Sequence, residues 1–448
     1  ICSTFNRVIR QIMPNERTGL PLPMQAHRQL GLLSATTLVV ASMIGTGVFT
    51  TSGFLLAELG APALVLAAWF VGGALAALGA LCYGALAREI PESGGEYIFL
   101  SRTLHPVAGY LAGWISVLVG FSAPLAATAY AFGQYIQPWL DGVPPKLAGS
   151  AVAVLFALQH AIGVRWGAAV QSVIVVIKMC LIAALSGFGL AQVELGQLVG
   201  PIKFELGSFA VALVWVSFSY SGWNAAVYIG GEVADPQNNL PRALLLGTAL
   251  VTAAYLAVNA VFVLSAPVPE LAGKLEIARI AASALGGHAW AQITTGLILL
   301  ALLSSISAIV MAGPRVWAKM AGDGYLPQWL GQHRGPPRAA IAVQLVLALG
   351  MLWTATFEAL LTYIGFTLSL STAATVTGLI RLRLRRGPTM RVTGWPWVPL
   401  LFLTGTAATC GFTIAQRPIE SVLGLGTVAL GVVAWRLKRK NGGRHYSR

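Results

Sequence analysis

Gly45, Thr46 and Gly47 fall half-way along Leu33–Ser52, LSATTLVVASMIGTGVFTTS, an apolar run of membrane-spanning length. Two glycines one residue apart weaken a helix by roughly 1 kcal/mol each relative to alanine. Lacking a Cβ, they also let a ligand come close to the backbone. Within a bilayer an opened turn is tolerated only where it is buried in protein or lines a watery cavity. A half-helix that restarts beyond it aims free N–H groups and a partial positive charge at that cavity, which is the chemistry of a carboxylate site. The plainer reading of the same glycines is close helix packing. A second interruption favours the ligand site. Val211–Gly231, VALVWVSFSYSGWNAAVYIGG, starts apolar and then carries Ser217, Ser219, Tyr220, Ser221, Gly222 and Asn224. Paired interrupted helices point to binding at mid-depth between them. The candidate site is therefore Ile44, Gly45, Thr46 and Gly47 facing Phe218, Ser219, Ser221 and Asn224. Phe218 is placed to cover a ligand or simply to pack. Asn224 needs some partner at that depth, whether a ligand amine or protein.

One charge lies where charges are expensive. Lys178 sits mid-way along AAVQSVIVVIKMCLIAAL, at a cost of about 2.5–3.5 kcal/mol on insertion scales. It is too central to snorkel, so it must face protein or water. Two roles stand. It is either a fixed cation on the open carbonyls of a broken helix or a proton carrier. The first is favoured, because no acidic residue falls within a span at this depth and Glu58, Glu89, Glu232 and Glu358 all avoid span centres.

The elements that must position these residues are membrane helices. Of 448 residues, 56% are hydrophobic and only 10% are charged. The pattern gives twelve spans, at 30–55, 62–87, 105–138, 146–163, 167–190, 208–231, 241–265, 289–316, 339–354, 358–380, 395–415 and 420–436. The third is too long for an upright helix, so a strong tilt or an extension beyond the bilayer is expected. Residues 87–102, AREIPESGGEYIFLSR, read as a polar inner connection with a short interfacial helix. Pro269–Leu285 reads as an outer amphipathic helix, and another short inner helix is expected near Ala321–Leu330. Spans one to five and six to ten share a layout, and five is odd, so the two sets run in opposite senses.

The net charge of +14 does not indicate nucleic-acid binding. The outer connections carry only Lys146, Lys203, Lys274, Arg279 and Arg417, and every other Lys or Arg except Lys178 falls on the opposite side. That asymmetry places both termini in the cytoplasm. Cys2, Cys82, Cys180 and Cys410 have no metal-ligand spacing and suggest no outer disulfide. Met13 or Met24 is the expected start, with no cleavable signal pattern. No Walker sequence, metal cluster or His/Ser–acid pair argues for an enzyme, and no cofactor is expected.

The motifs MIGTGVF (43–49), EIPESGGEY (89–97), GVRWGAAVQSVIVVIK (163–178), FSYSGWNAAVYIGGEVADPQNNLPRA (218–243) and GPRVWAKMAGDGYLP (313–327) together resemble the amino acid–polyamine–organocation superfamily. Within it the chain is most similar to the L-type amino-acid transporter branch and its bacterial relatives. The resemblance implies an all-α fold of 12 transmembrane helices, a five-plus-five inverted repeat with discontinuous helices 1 and 6. The parts would be an N-terminal segment 1–29, repeats 30–190 and 191–380, two added helices 381–436 and a basic tail 437–448. It implies a secondary transporter of L-amino acids in a cell membrane, sodium-independent. Carboxylate binding would fall on the first break and amine binding on both breaks. Phe218 would be the gate, Asn224 a binding residue, and Lys178 would stand where sodium-coupled relatives hold a sodium ion. Two departures refine this. Gln137–Lys146 has no cysteine for a disulfide-linked heavy subunit, so none is expected. Asn224 replaces an acidic residue common elsewhere, which favours neutral substrates. An exporter of the same fold and a transport-inactive sensor remain the alternatives.

Overall fold

The computed structural model describes residues 30–163, 167–193, 195–198, 202–331 and 335–441. The N-terminal segment, with Cys2 and both candidate start methionines, lies outside the described residues, as do Arg165 of the fourth-to-fifth connection and the chain from 442 on. The described chain is helical apart from one isolated bridge. Its helices are α1 Leu32–Met43, α2 Gly47–Leu59, α3 Pro62–Glu89, α4 Gly95–Thr103, α5 Pro106–Tyr135, α6 Pro145–Ile162 and α7 Gly167–Leu190. They continue as α8 Leu206–Tyr220, α9 Pro236–Leu264, α10 Val268–Leu271, α11 Ile277–Gly322, α12 Arg338–Thr354, α13 Phe357–Arg386, α14 Trp397–Gln416 and α15 Pro418–Asn441.

Among the described residues nine helices are long and apolar enough to cross a membrane, or ten when α1 and α2 count as one bent span. The shorter apolar helices Val175–Leu190 and Arg338–Thr354 fall on the fifth and ninth expected spans. Start signals are local. Pro62, Pro106, Pro145 and Pro236 occupy the first turn of their helices, where a missing N–H costs nothing. Left-handed Gly60 ends α2 and Gly163 ends α6.

Two expectations need correction and one is refined. The third span is long, 30 residues against the roughly 20 that cross a bilayer upright, but it is not helical in one style. It runs Pro106–Tyr135 with a π-helical turn at Ser116–Ser122. Pro124 cannot donate a backbone hydrogen bond, and the Ser122 hydroxyl donates to the Val117 carbonyl at 3.0 Å. The inner helix expected at Ala321–Leu330 is instead the end of α11 at Gly322, followed by a turn and a three-residue 3₁₀ segment, Gln328–Leu330. The helix expected over Pro269–Leu285 does form, but later than Pro269. After the short α10 it starts at Ile277 and is marked off from the rest of α11 by Gly287, at φ 72° and ψ −169°.

That outer segment closes one end of the bundle. The Gly273 N–H donates to the Gly53 carbonyl at 2.7 Å, and a Cβ on Gly53 would strike the Lys274 backbone. The Tyr135 hydroxyl donates to the Phe49 carbonyl at 2.7 Å. At the other end the chain entering α1 is stitched to the chain leaving the second broken helix. Leu30 N–H donates to Glu232 O at 3.2 Å, Ala234 N–H donates to Leu30 O at 2.9 Å, and Leu30 and Val233 form a parallel bridge.

Candidate substrate site at two facing helix breaks

The first break lies between α1 and α2, which meet at 46°. Ile44 leaves the helix at φ −77° and ψ 85°, and α2 restarts at Gly47. Phe49 N–H donates to Thr46 O at 3.1 Å, while the N–H groups ahead of it, at the very start of α2, have no helical carbonyl one turn back to bond to. Thr46 is fixed by its hydroxyl, 2.8 Å from that of Thr128 on α5, which itself donates to the Pro124 carbonyl at 2.8 Å.

The second break follows Tyr220. Ser221 turns extended at ψ 142°, Gly222 takes φ 100°, and the chain resumes as a 3₁₀ helix, Ala225–Glu232. Only glycine suits position 222. The φ is left-handed, and a Cβ there would stand 2.6 Å from the Ser42 carbonyl oxygen. The two breaks therefore touch. On the other side of the crossing, a Cβ on Gly47 would stand 2.8 Å from Ser219 Cα, and the Thr51 and Ser219 hydroxyls are 3.0 Å apart. Gly45 differs, since a Cβ there would have nothing nearer than the Met43 carbonyl oxygen at 4.0 Å. The two glycines that look alike in sequence thus do separate things: Gly47 allows packing, and Gly45 borders open space.

The carbonyls freed at the breaks are held from outside. The Tyr255 hydroxyl of α9 lies 2.6 Å from Met43 O and 3.2 Å from Ser219 O, sharing its proton between one carbonyl of each break. Lys178, only 4% exposed, donates to the Ser305 hydroxyl at 2.9 Å and reaches Ile44 O at 3.5 Å. Ser305 passes its own proton to Ala301 O at 3.0 Å. Phe218 O accepts from Ser221 N–H at 3.0 Å and keeps its second lone pair.

A cavity of about 1070 Å³ opens from the breaks. All the candidates line it: Ile44, Gly45, Thr46, Gly47, Lys178, Phe218, Ser219, Ser221 and Asn224. Phe218 is buried at its wall. Gly120, Phe121 and Thr128, at and just after the π-helical turn, form another part of the lining. The cavity runs toward Leu30, Ser93, Arg315 and Lys319, the end away from the outer segment that packs on α2.

Sequence reading missed Glu96. It lies in α4, in the connection between two spans, yet it is 7% exposed and lines the cavity. Its Oε1 accepts from the Tyr83 hydroxyl at 2.7 Å and from Asn224 Nδ2 at 3.0 Å, and its Oε2 accepts from Ser371 at 2.6 Å. Burial pushes its carboxyl above the usual carboxylate range, while the donors from Ser371, Tyr83 and Asn224 pull it back. Tyr255 and Thr128 were missed too, since neither stands out within an apolar helix. Among the described residues no group of His, Cys, Asp and Glu could hold a metal ion.

A family model described as amino acid permease matches residues 30–425. The large neutral amino acids transporter small subunit 2 of Mus musculus is 30% identical over 439 residues, covering 92% of this chain and 82% of the relative. The Asc-type amino acid transporter 1 of the same species is 28% identical over 444 residues, with the same coverage. The serine/threonine exchanger SteT of Bacillus subtilis (strain 168) is 28% identical over 431 residues, covering 92% of this chain and 98% of the exchanger. The match spans both breaks and nearly every described helix, so the chain belongs to the amino acid permease family, on the L-type branch of the amino acid–polyamine–organocation superfamily, and is a membrane permease rather than an enzyme.

Proposed function

We propose that the protein is a secondary, sodium-independent permease or exchanger of neutral L-amino acids, working by alternating access around the two breaks. One observation carries the reading. Two interrupted helices face each other across a single cavity, with open backbone groups at one crossing and a buried lysine on the carbonyl of the first break. The backbone amides of Thr46 and Gly47 take the substrate carboxylate. The carbonyls of Ile44 and Phe218 take its amine, Gly45 lets it approach, Ser219, Ser221 and Asn224 border it, and Phe218 closes over it. Neutral substrates are supported by Asn224, an amide at the cavity wall, and by Glu96 being turned onto three protein donors. The names of the relatives, for large neutral amino acids and for serine/threonine, agree with this.

The fold that goes with this reading has twelve spans, with repeats 30–190 and 191–380 inverted about the breaks and two further helices at 381–436. Residues 1–29 and 437–448 are cytoplasmic, and the protein sits in the cell's inner or plasma membrane. In that orientation the cavity faces the cytoplasm, and the contacts of Gly53 and Tyr135 close the outer side. A single-chain protein is supported by the loop from Gln137 to Lys146, which has no cysteine.

The test is counterflow into liposomes preloaded with a panel of amino acids, using the purified full chain. Neutral amino acids should drive uptake of label without sodium. Uptake driven only by lysine or arginine would overturn the substrate class, and no counterflow with any amino acid would overturn the reading.

A further inference from the structure

Four segments, two of them distant in sequence from the rest, meet on one carboxyl group. Glu96 reaches into the bundle from α4 and binds Tyr83 of α3, Asn224 at the second break and Ser371 of α13. Among the described residues no Lys or Arg pairs with it. All three partners point a proton at it, an arrangement suited to the ionised form. An ionised carboxylate only accepts hydrogen bonds.

That has a consequence for Asn224. The two ends of a carboxamide are nearly the same in shape and opposite in hydrogen-bonding sense. Left to itself, the amide could present either end to the cavity. Glu96 permits only one, because Nδ2 must face the carboxylate. The carbonyl oxygen is the end left over, it takes no hydrogen bond from the described residues, and Asn224 lines the cavity beside the break. We propose that Glu96 is a positioning residue that locks Asn224 with its carbonyl oxygen toward the cavity, so that the site takes a hydrogen-bond donor of the substrate there. The inference rests on the amino-acid reading and adds what the substrate must carry. A site built around such an acceptor disfavours an analogue without the donor, because the acceptor then stays unpaired once the site closes over the ligand. The donor is either the α-ammonium or a hydroxyl on the side chain, and the two differ in what they predict.

Glu96→Gln removes the lock while keeping the shape, since glutamine can offer Asn224 either a donor or an acceptor. Full-length protein in liposomes is assayed by counterflow of labelled serine and labelled alanine. Glu96→Gln should raise the apparent KM about tenfold, the worth of one ordinary hydrogen bond, with maximal rate within about twofold. If the ammonium is read, both substrates weaken together, and if the hydroxyl is read, serine alone weakens. Ser371→Ala is the control, since Ser371 bonds the other carboxylate oxygen and is not among the cavity-lining residues. It should leave both KM values within about twofold.

Unchanged KM for both substrates in Glu96→Gln overturns the inference. So does a Ser371→Ala variant as impaired as Glu96→Gln, because the cluster would then only hold the helices together. Should Glu96→Gln not assemble, Asn224→Leu carries the same test, since it keeps the bulk and removes the acceptor. The same KM rise supports the inference, and an unchanged KM overturns it. Wild-type protein that moves no amino acid overturns the amino-acid reading itself, whereas active wild type with an indifferent Glu96→Gln overturns this inference alone.

Discussion

Lys178→Ala will reach the membrane and lose transport, while the wild type will exchange amino acids with neither sodium nor a proton gradient. The lysine ties the Ile44 carbonyl of the first break to Ser305 of α11. Without it that carbonyl loses its charged donor, a bond worth about 1.5–3 kcal/mol, so transport should fall by tenfold or more. A lysine that keeps its charge holds the break alike in both orientations, which supports exchange rather than accumulation. The measurement is uptake into liposomes at matched pH and then under an imposed proton gradient, with and without internal amino acid. Empty vesicles should stay near equilibrium. Gradient-driven accumulation that vanishes in Lys178→Ala would make the lysine a proton carrier instead. Sodium-driven accumulation would remove both roles, because on the proposed reading the ammonium group takes a sodium ion's place.

The second large effect separates the two glycines of the first break. Gly47→Ala should weaken substrate binding about 5- to 150-fold, following from an overpacking cost of about 1–3 kcal/mol. Its new methyl would stand 2.8 Å from Ser219 Cα, and a backbone atom cannot rotate away. The breaks would be pushed apart, so melting temperature should fall along with affinity. Gly45→Ala has room for its methyl and needs no left-handed backbone. It should keep the wild-type melting temperature and lose affinity only through the ligand that no longer comes close. Unchanged affinity in a stable Gly45→Ala would move the carboxylate away from this break. A Gly47→Ala protein as stable and as tight as wild type would mean that the breaks separate without penalty.

What could be read beforehand follows from what membrane sequences make expensive. Gly45–Gly47 and the polar run Ser217–Asn224 stand out because open backbone inside a bilayer needs a reason. Lys178 stands out because a charge there does. Glu96 did not, because an acid in a polar connection is ordinary, and only its return into the bundle makes it unusual. The Tyr255 bridge between Met43 O and Ser219 O was equally silent, since a tyrosine within an apolar helix has no pattern that names its partner. The π-helical turn depends on Pro124 and on the Ser122 hydroxyl, neither conspicuous in a small-residue stretch. The missing helix at Ala321–Leu330 shows the opposite error. A short helix is expected there to match the one on the other side, but Gly322, Gly324 and Pro327 divert the chain into turns.

The stitch between Leu30 and the segment Glu232–Ala234 has a use for anyone who wishes to watch this protein work. It is made of main-chain hydrogen bonds, so it survives side-chain replacement on either side. Spin labels or fluorophores carried there keep a constant separation as long as the inner ends of the two broken helices travel together. That pair supplies a fixed baseline against which a second pair across the cavity, on Ser93 and Lys319 for example, reports opening and closing. A baseline that itself changes with added substrate would reveal that the two broken helices part company during the cycle, a distinction that a single distance across the cavity leaves hidden.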